Sequence, residues 1–120
     1  MNLEPIPTLD HRYIYSAIIT RVIDGDTVVL DIDLGMGAWM HEVHCRLGGI
    51  DAPEIRGNER RHGLMAMEYL ISISGFNGSV IIKTHRDKTG KYGRYIVDLW
   101  HDGTNLNQRM IDDGYAKARV

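Results

Sequence analysis

Residues 12–34 read RYIYSAIITRVIDGDTVVLDIDL, two runs of strand-forming residues joined at Asp24-Gly25-Asp26. The first run, 12–22, is rich in β-branched and aromatic types and reads as a strand. The Asp-Gly-Asp step is a turn signal, because aspartate side chains bond nearby backbone and glycine tolerates positive φ. Beyond it Val28, Leu30, Ile32 and Leu34 alternate with Val29, Asp31 and Asp33. That is the period-two pattern of a half-buried strand. Asp26 shares the parity of Val28 and Leu30, so its carboxylate is predicted at the end of the inward-facing row. A carboxylate there is costly unless a cation lies nearby. An EF-hand loop would require an oxygen ligand at Val28 and a glutamate at Gly35, and the sequence has neither.

Working outward, Gly35-Met36-Gly37 marks the next turn and residues 39–50 form a third strand, which Pro53 stops. Residues 59–74 change period: Leu64, Met67, Leu70 and Ile71 fall on one face of an amphipathic helix that ends at Gly75 to Gly78. Residues 79–86 and 92–100 read as two further strands joined by the polar loop Asp87 to Lys91. A second helix spans about 105–113, with Leu106 and Met110 one turn apart and Gly114 as C-cap. The order is β-β-β-α-β-β-α. Five short strands with a helix between the third and fourth predict an α+β, mainly β fold, a five-stranded OB-fold barrel with two helices. At 120 residues the chain suits one domain, 1–120, around one core.

Charge is unevenly placed. Residues 1–54 carry a net −6, residues 55–94 a net +5, and the remainder −1. An acidic half can hold a cation and a basic stretch can meet an anionic chain, although ordinary solvated charge gives the same counts. No apolar run approaches the ~20 residues that span a bilayer, so no membrane partner is expected. Met1 to Asp10 lacks the basic-then-apolar pattern of a secretory signal, which makes the cytoplasm the expected location. Cys45 is the single cysteine and forms no internal disulfide. His41, His44, Cys45 and His62 lack a paired zinc-ligand spacing, and His44 and Cys45 fall on opposite strand faces. Met65, Met67 and Met110 read as core filler. Trp39 and Trp100 read as core or rim packing sooner than as base-stacking platforms.

Two further segments carry chemistry. In Arg46-Leu47-Gly48-Gly49-Ile50-Asp51-Ala52-Pro53-Glu54, an arginine sits within an apolar strand and two carboxylates three apart follow at its end. Such a pair can supply a metal ligand and a general base, or be merely a solvated strand end. In Asp87-Lys88-Thr89-Gly90-Lys91-Tyr92-Gly93-Arg94, a lysine-rich hairpin leads to an arginine able to take a phosphate in bidentate fashion. No serine or cysteine nucleophile with a suitable triad is evident.

With Val22-Ile23-Asp24-Gly25-Asp26-Thr27-Val28, these strings resemble the staphylococcal-nuclease (thermonuclease) family in order and spacing over about residues 12–118. The resemblance implies the five-stranded barrel and calcium-dependent hydrolysis of DNA and RNA, single strands preferred, with little sequence preference. It implies that Asp26, Asp51 and the backbone carbonyl of Ala52 hold calcium. Glu54 would position or deprotonate the attacking water, and Arg46 and Arg94 would bind the phosphate. Lys88, Lys91 and Tyr92 would meet the substrate. Ala52 stands where the family often has threonine, which a carbonyl ligand tolerates. The Gly35-to-Trp39 hairpin looks longer than in the type member, and Thr89-Gly90 reads as an insertion. The family's third C-terminal helix and its stacking tyrosines have no match before Val120, so a homodimer, or the long hairpin folding back, is expected to cover the exposed surface. The rival reading is a catalytically inactive OB-fold module that binds nucleic acid or protein. The presence of all five acidic and arginine positions favours catalysis.

Overall fold

β1 (Ile14–Asp24) and β2 (Thr27–Gly35) pair antiparallel across the Gly25-Asp26 turn, with Val22 opposite Val28 and Asp24 opposite Thr27. β2 pairs in turn with β3 (Ala38–Leu47). The computed structural model describes residues 12–75, 77–89 and 93–119, with backbone alone at 86–89. A two-residue β4 (Ile50–Asp51) and a 3-10 turn (Gly57–Glu59) lead into α1 (Arg60–Ile73). Then follow β5 (Ser79–Thr89), β6 (Tyr95–His101), β7 (Thr104–Asn105), α2 (Leu106–Asp112) and β8 (Lys117–Ala118).

β5 pairs with β1 and with β6 antiparallel, and β6 closes on β3 in parallel, Arg46 opposite Ile96. The five long strands therefore make a closed barrel in the cyclic order β1-β2-β3-β6-β5, which is the OB arrangement. Closure leaves no open edge along the seam, the usual liability of a small sheet. The barrel is filled by Ile19 of β1, Leu30 of β2, Leu47 of β3, Ile82 of β5 and Leu99 of β6, all fully buried. Leu70 of α1 and Leu106 and Met110 of α2 complete the same core. Burying each such side chain contributes roughly 1.5–3 kcal/mol.

The helix ends follow their capping chemistry. The Asn105 side chain accepts the Gln108 N–H at 3.0 Å at the start of α2. Gly114, at φ +83°, closes its end, where the Tyr115 N–H donates to the Met110 carbonyl at 2.9 Å.

Several expectations change. α1 turns the Leu64-Met67-Leu70-Ile71 stripe to the core only in part: Leu70 is buried and Met67 packs against the core. Its buried residues are Gly63, Ala66 and Leu70, while Ile71 is exposed. The helix is drawn in through its smallest side chains, and that brings it nearer the barrel than a leucine stripe would permit. A Cβ at Gly25 would lie 2.7 Å from the Cβ atoms of both Ala52 and Ala66. In β2, Val29 is buried along with Val28 and Leu30, so this stretch is covered on both faces; β3 bulges opposite Leu30/Ile32, and Leu34 is exposed where β2 bulges between Asp33 and Gly35. At the first of these bulges Glu42 takes φ +53°, and its N–H donates to the Asp31 carboxylate at 2.9 Å. Met110 fills the core as expected, but Met65 is exposed. Met36, Trp39 and Met40 of the β2–β3 hairpin are exposed too, so this hairpin does not fold back over the barrel. The β4–β8 ladder, Ile50 with Ala118 and Asp51 with Lys117, had no counterpart in the sequence reading.

Candidate active site

The site grows from three backbone events: the turn after β1, the end of β3 and the start of β6. The first carries Asp26, 8% exposed at the barrel's end, as its parity predicted. Both its oxygens are engaged: Oδ1 accepts the Thr27 hydroxyl at 3.0 Å and Oδ2 the Ala52 N–H at 2.9 Å. Burial pushes its pKa up to about 6 from 3.8, against the lowering effect of the Ala52 N–H; the neighbouring Asp24 raises it further and Arg46 opposes. Asp24 also accepts the Asp26 N–H at 3.0 Å and so fixes the turn.

The end of β3 supplies Arg46, itself 9% exposed. Its guanidinium lies between two carboxylates. Nη1 is 3.4 Å from Asp26 Oδ2, and Nη2 donates to Asp51 Oδ1 and, at 3.1 Å, to the Ile50 carbonyl. Nη1 is buried and makes no hydrogen bond among the described residues. Its charge is met by the Asp26 carboxylate beside it. Asp51 is much more open than Asp26, at 55% side-chain exposure.

The Gly48-Gly49 turn before Asp51 is held from below by Asn107 of α2. Its side-chain N–H groups donate to the carbonyls of Gly48 at 2.9 Å and Val97 at 3.1 Å, and its oxygen accepts the Leu99 N–H at 3.1 Å. Glu54, further along, is exposed. Its backbone is clamped by α1 and the turn before it. The Glu59 carboxylate accepts the Glu54 N–H at 3.1 Å, the Arg60 guanidinium donates to the Ile55 carbonyl at 3.2 Å, and Gly63 packs so closely that a Cβ would strike the Glu54 carbonyl.

Arg94, at the mouth of β6, donates to the Thr27 hydroxyl at 3.5 Å. Thr27 thus stands between the buried Asp26 and the arginine that arrives from the far end of the chain. Outside this arginine opens a cleft of about 530 Å³, lined by the carboxylates of Asp24 and Glu54, by Arg56 and Arg94, and by His44.

Of the residues expected from sequence, the structure brings Asp26, Arg46, Asp51 and Ala52 into one hydrogen-bonded cluster, with Glu54 and Arg94 beside it in the cleft. Lys91 and Tyr92 lie outside the described residues, and of Lys88 only the backbone, in β5, is described. Asp24, Thr27, His44 and Arg56 are additions; for His44 the usable signal was its same-face spacing from Arg46. Cys45 is fully buried and its thiol is pushed up to about 12 by burial, which removes it as a ligand.

The donors offered to a metal are oxygen alone, which suits a hard divalent cation. A carboxylate as deep as Asp26 is held ionised more readily by such a cation than by the one guanidinium beside it. Among the described residues, however, no three carboxylate, imidazole or thiolate groups converge into a complete cage.

The sequence pattern described as staphylococcal nuclease homologue matches residues 44–120, which span Arg46, Asp51, Glu54 and Arg94. The chain belongs to this staphylococcal nuclease family. It is 29% identical over 107 residues to a thermonuclease of Staphylococcus intermedius, covering 87% of this chain and 60% of that protein. It is 26% identical over 104 residues to the thermonuclease of Staphylococcus hyicus, covering 84% of this chain and 57% of the relative. It is 27% identical over 111 residues to endonuclease YhcR of Bacillus subtilis (strain 168), covering 85% of this chain but 9% of that protein. The chain thus spans at most 60% of the length of these relatives.

Proposed function

We propose that the chain is a calcium-dependent phosphodiesterase that hydrolyses DNA and RNA, single strands preferred, with little sequence preference. The observation that carries this reading is Arg46: a buried guanidinium seated between Asp26 and Asp51 beside a cleft walled by Glu54 and Arg94. Membership of a nuclease family supports it.

Hydrolysis of a phosphodiester needs neutralised non-bridging oxygens, an oriented water and a stabilised leaving group. Arg46 and Arg94 supply fixed positive charge on two sides of the phosphate. The hydrogen bonds Arg46 already makes hold it in place before substrate arrives, so little reorganisation accompanies the reaction. Glu54 is the exposed carboxylate of the cleft and takes the proton of the attacking water. Asp26, Asp51 and the Ala52 carbonyl would hold the cation, which supplies Lewis-acid polarisation of the phosphate when bound. Thr27 keeps Asp26 and Arg94 in mutual register through its single hydroxyl.

A second reading has one observation in its favour. The absence of a ready three-ligand cluster among the described residues suits a binding module in which Arg46 is only a clasp. One assay separates the two. Plasmid, single-stranded DNA and RNA are incubated with the purified chain in millimolar calcium or in chelator. Cleavage of the single strands in calcium alone is expected. All three left intact with calcium, or cleavage indifferent to chelation, overturns the calcium-dependent reading.

A further inference from the structure

The cleft carries more than the residues already given roles. Arg56 and His44 line it, and neither is used in the chemistry above. Arg56 is exposed and makes no ion pair with any described residue, whereas Arg46 is committed to Asp26 and Asp51, and Arg109 to Asp113. It is also well supported: it is extended, at φ −140° and ψ 163°, directly after the backbone that Glu59, Arg60 and Gly63 clamp. A cation on a fixed platform loses less freedom on meeting an anion than one on a loose loop. His44 comes from β3. It lies two residues from Arg46 on β3, opposite Val29 as Arg46 is opposite Thr27, so both project to one face, roughly 6.6–6.8 Å apart along the strand.

The cleft is larger than one phosphate requires, and of its lining residues Asp24 and Glu54 repel a polyanion, which leaves Arg56 and Arg94 to attract one. Resting on the nucleic-acid reading of the cleft, we infer that Arg56 and His44 form a subsite for the nucleotide adjoining the one cleaved. Arg56 takes the phosphate of that nucleotide and the His44 ring stacks against its base. The subsite reads the charge and flatness of a single strand, not its sequence. A duplex, whose bases are already stacked on one another, cannot fill it.

The test is binding without turnover: a fluorescent single-stranded 12-mer titrated in chelator at several salt concentrations. Arg56→Ala is expected to weaken binding several-fold and to reduce the slope of log affinity on log salt by about 0.7, one single-strand phosphate contact. His44→Ala is expected to weaken binding roughly 5-fold or more at an unchanged slope, with His44→Phe restoring it. Lys83→Ala, on the outer face of β5 and outside the cleft walls, controls for general charge and should leave both quantities unaltered. An unchanged slope in Arg56→Ala, full affinity in His44→Ala, or an equal slope change in Lys83→Ala overturns the subsite while the nuclease reading stands. Failure of the unaltered chain to bind the 12-mer at low salt removes the nucleic-acid reading and the subsite with it.

Discussion

Asp26→Asn tests the electrostatics of the site without touching its shape. In the metal-free protein, burial raises the Asp26 pKa from its ordinary 3.8 to about 6. At about 1.36 kcal/mol per pH unit, keeping that carboxylate ionised at pH 7 costs on the order of 3 kcal/mol. The sign follows from linkage. The protonated form is favoured by folding, so its stabilising effect is full below pH 3.8 and is lost as pH rises through about 6. An asparagine removes the charge and still accepts from Ala52, but leaves Arg46 with Asp51 as its one carboxylate. The net gain at pH 7 in chelator is therefore expected to be smaller, about 1–2 kcal/mol, or a rise in Tm of roughly 3–6 °C per kcal/mol. Thermal melts of both proteins from pH 4 to pH 8 should show the variant's advantage growing with pH and vanishing near pH 4. Calcium at a hundred times its Kd should stabilise the natural protein by about 2.7 kcal/mol and the variant by far less. A variant that melts below the natural protein at pH 7 in chelator would refute the reasoning, because burial would not be the dominant cost.

Glu54→Gln and Arg94→Ala should each lower kcat by roughly 10²–10³ with the fold retained, read by steady-state kinetics beside circular dichroism; a near-normal rate removes that residue from the mechanism. Gly63→Ala gains about 1 kcal/mol of helix propensity but drives a methyl into the Glu54 backbone, so a net loss of stability and a fall in kcat larger than any change in KM are expected. A more stable, fully active Gly63→Ala would mean the close approach is unimportant. Asn107→Ala takes the amide from the Leu99 N–H and the Gly48 carbonyl, while the Val97 carbonyl keeps the Gly48 N–H, and should cost about 2–4 kcal/mol in urea unfolding; a loss under 1 kcal/mol would show that water replaces the amide.

The barrel was legible because its strands announce themselves locally. The alternation after Asp26, the glycine turns and the Gly114 cap each rest on a few adjacent residues. The site was legible for a related reason: Asp26 lies at the end of an inward row, and Arg46 breaks an apolar strand. What escaped depends on tertiary approach. Gly63, Ala66 and Gly25 look featureless in sequence, yet their missing side chains let α1 reach the Glu54 loop. Val29 was assigned to the wrong environment because β2 is covered on both faces there, and Leu34 because a bulge leaves no mark in composition. The β4–β8 ladder joins pairs of residues too short to carry a period.

The parallel seam between β3 and β6 also sets an order in time. Its partners stand far apart in the chain, Cys45 against Tyr95 and Leu47 against Val97. Contacts of such separation form late, since the loop between them must close before they are rewarded. A growing polypeptide leaving the ribosome exposes Asp26, Arg46, Asp51 and Glu54 first. Only when β6 docks does Arg94 reach Thr27. The linear order of the residues thus sets an order of assembly: an unfinished chain holds the acids and one arginine before the second can join them.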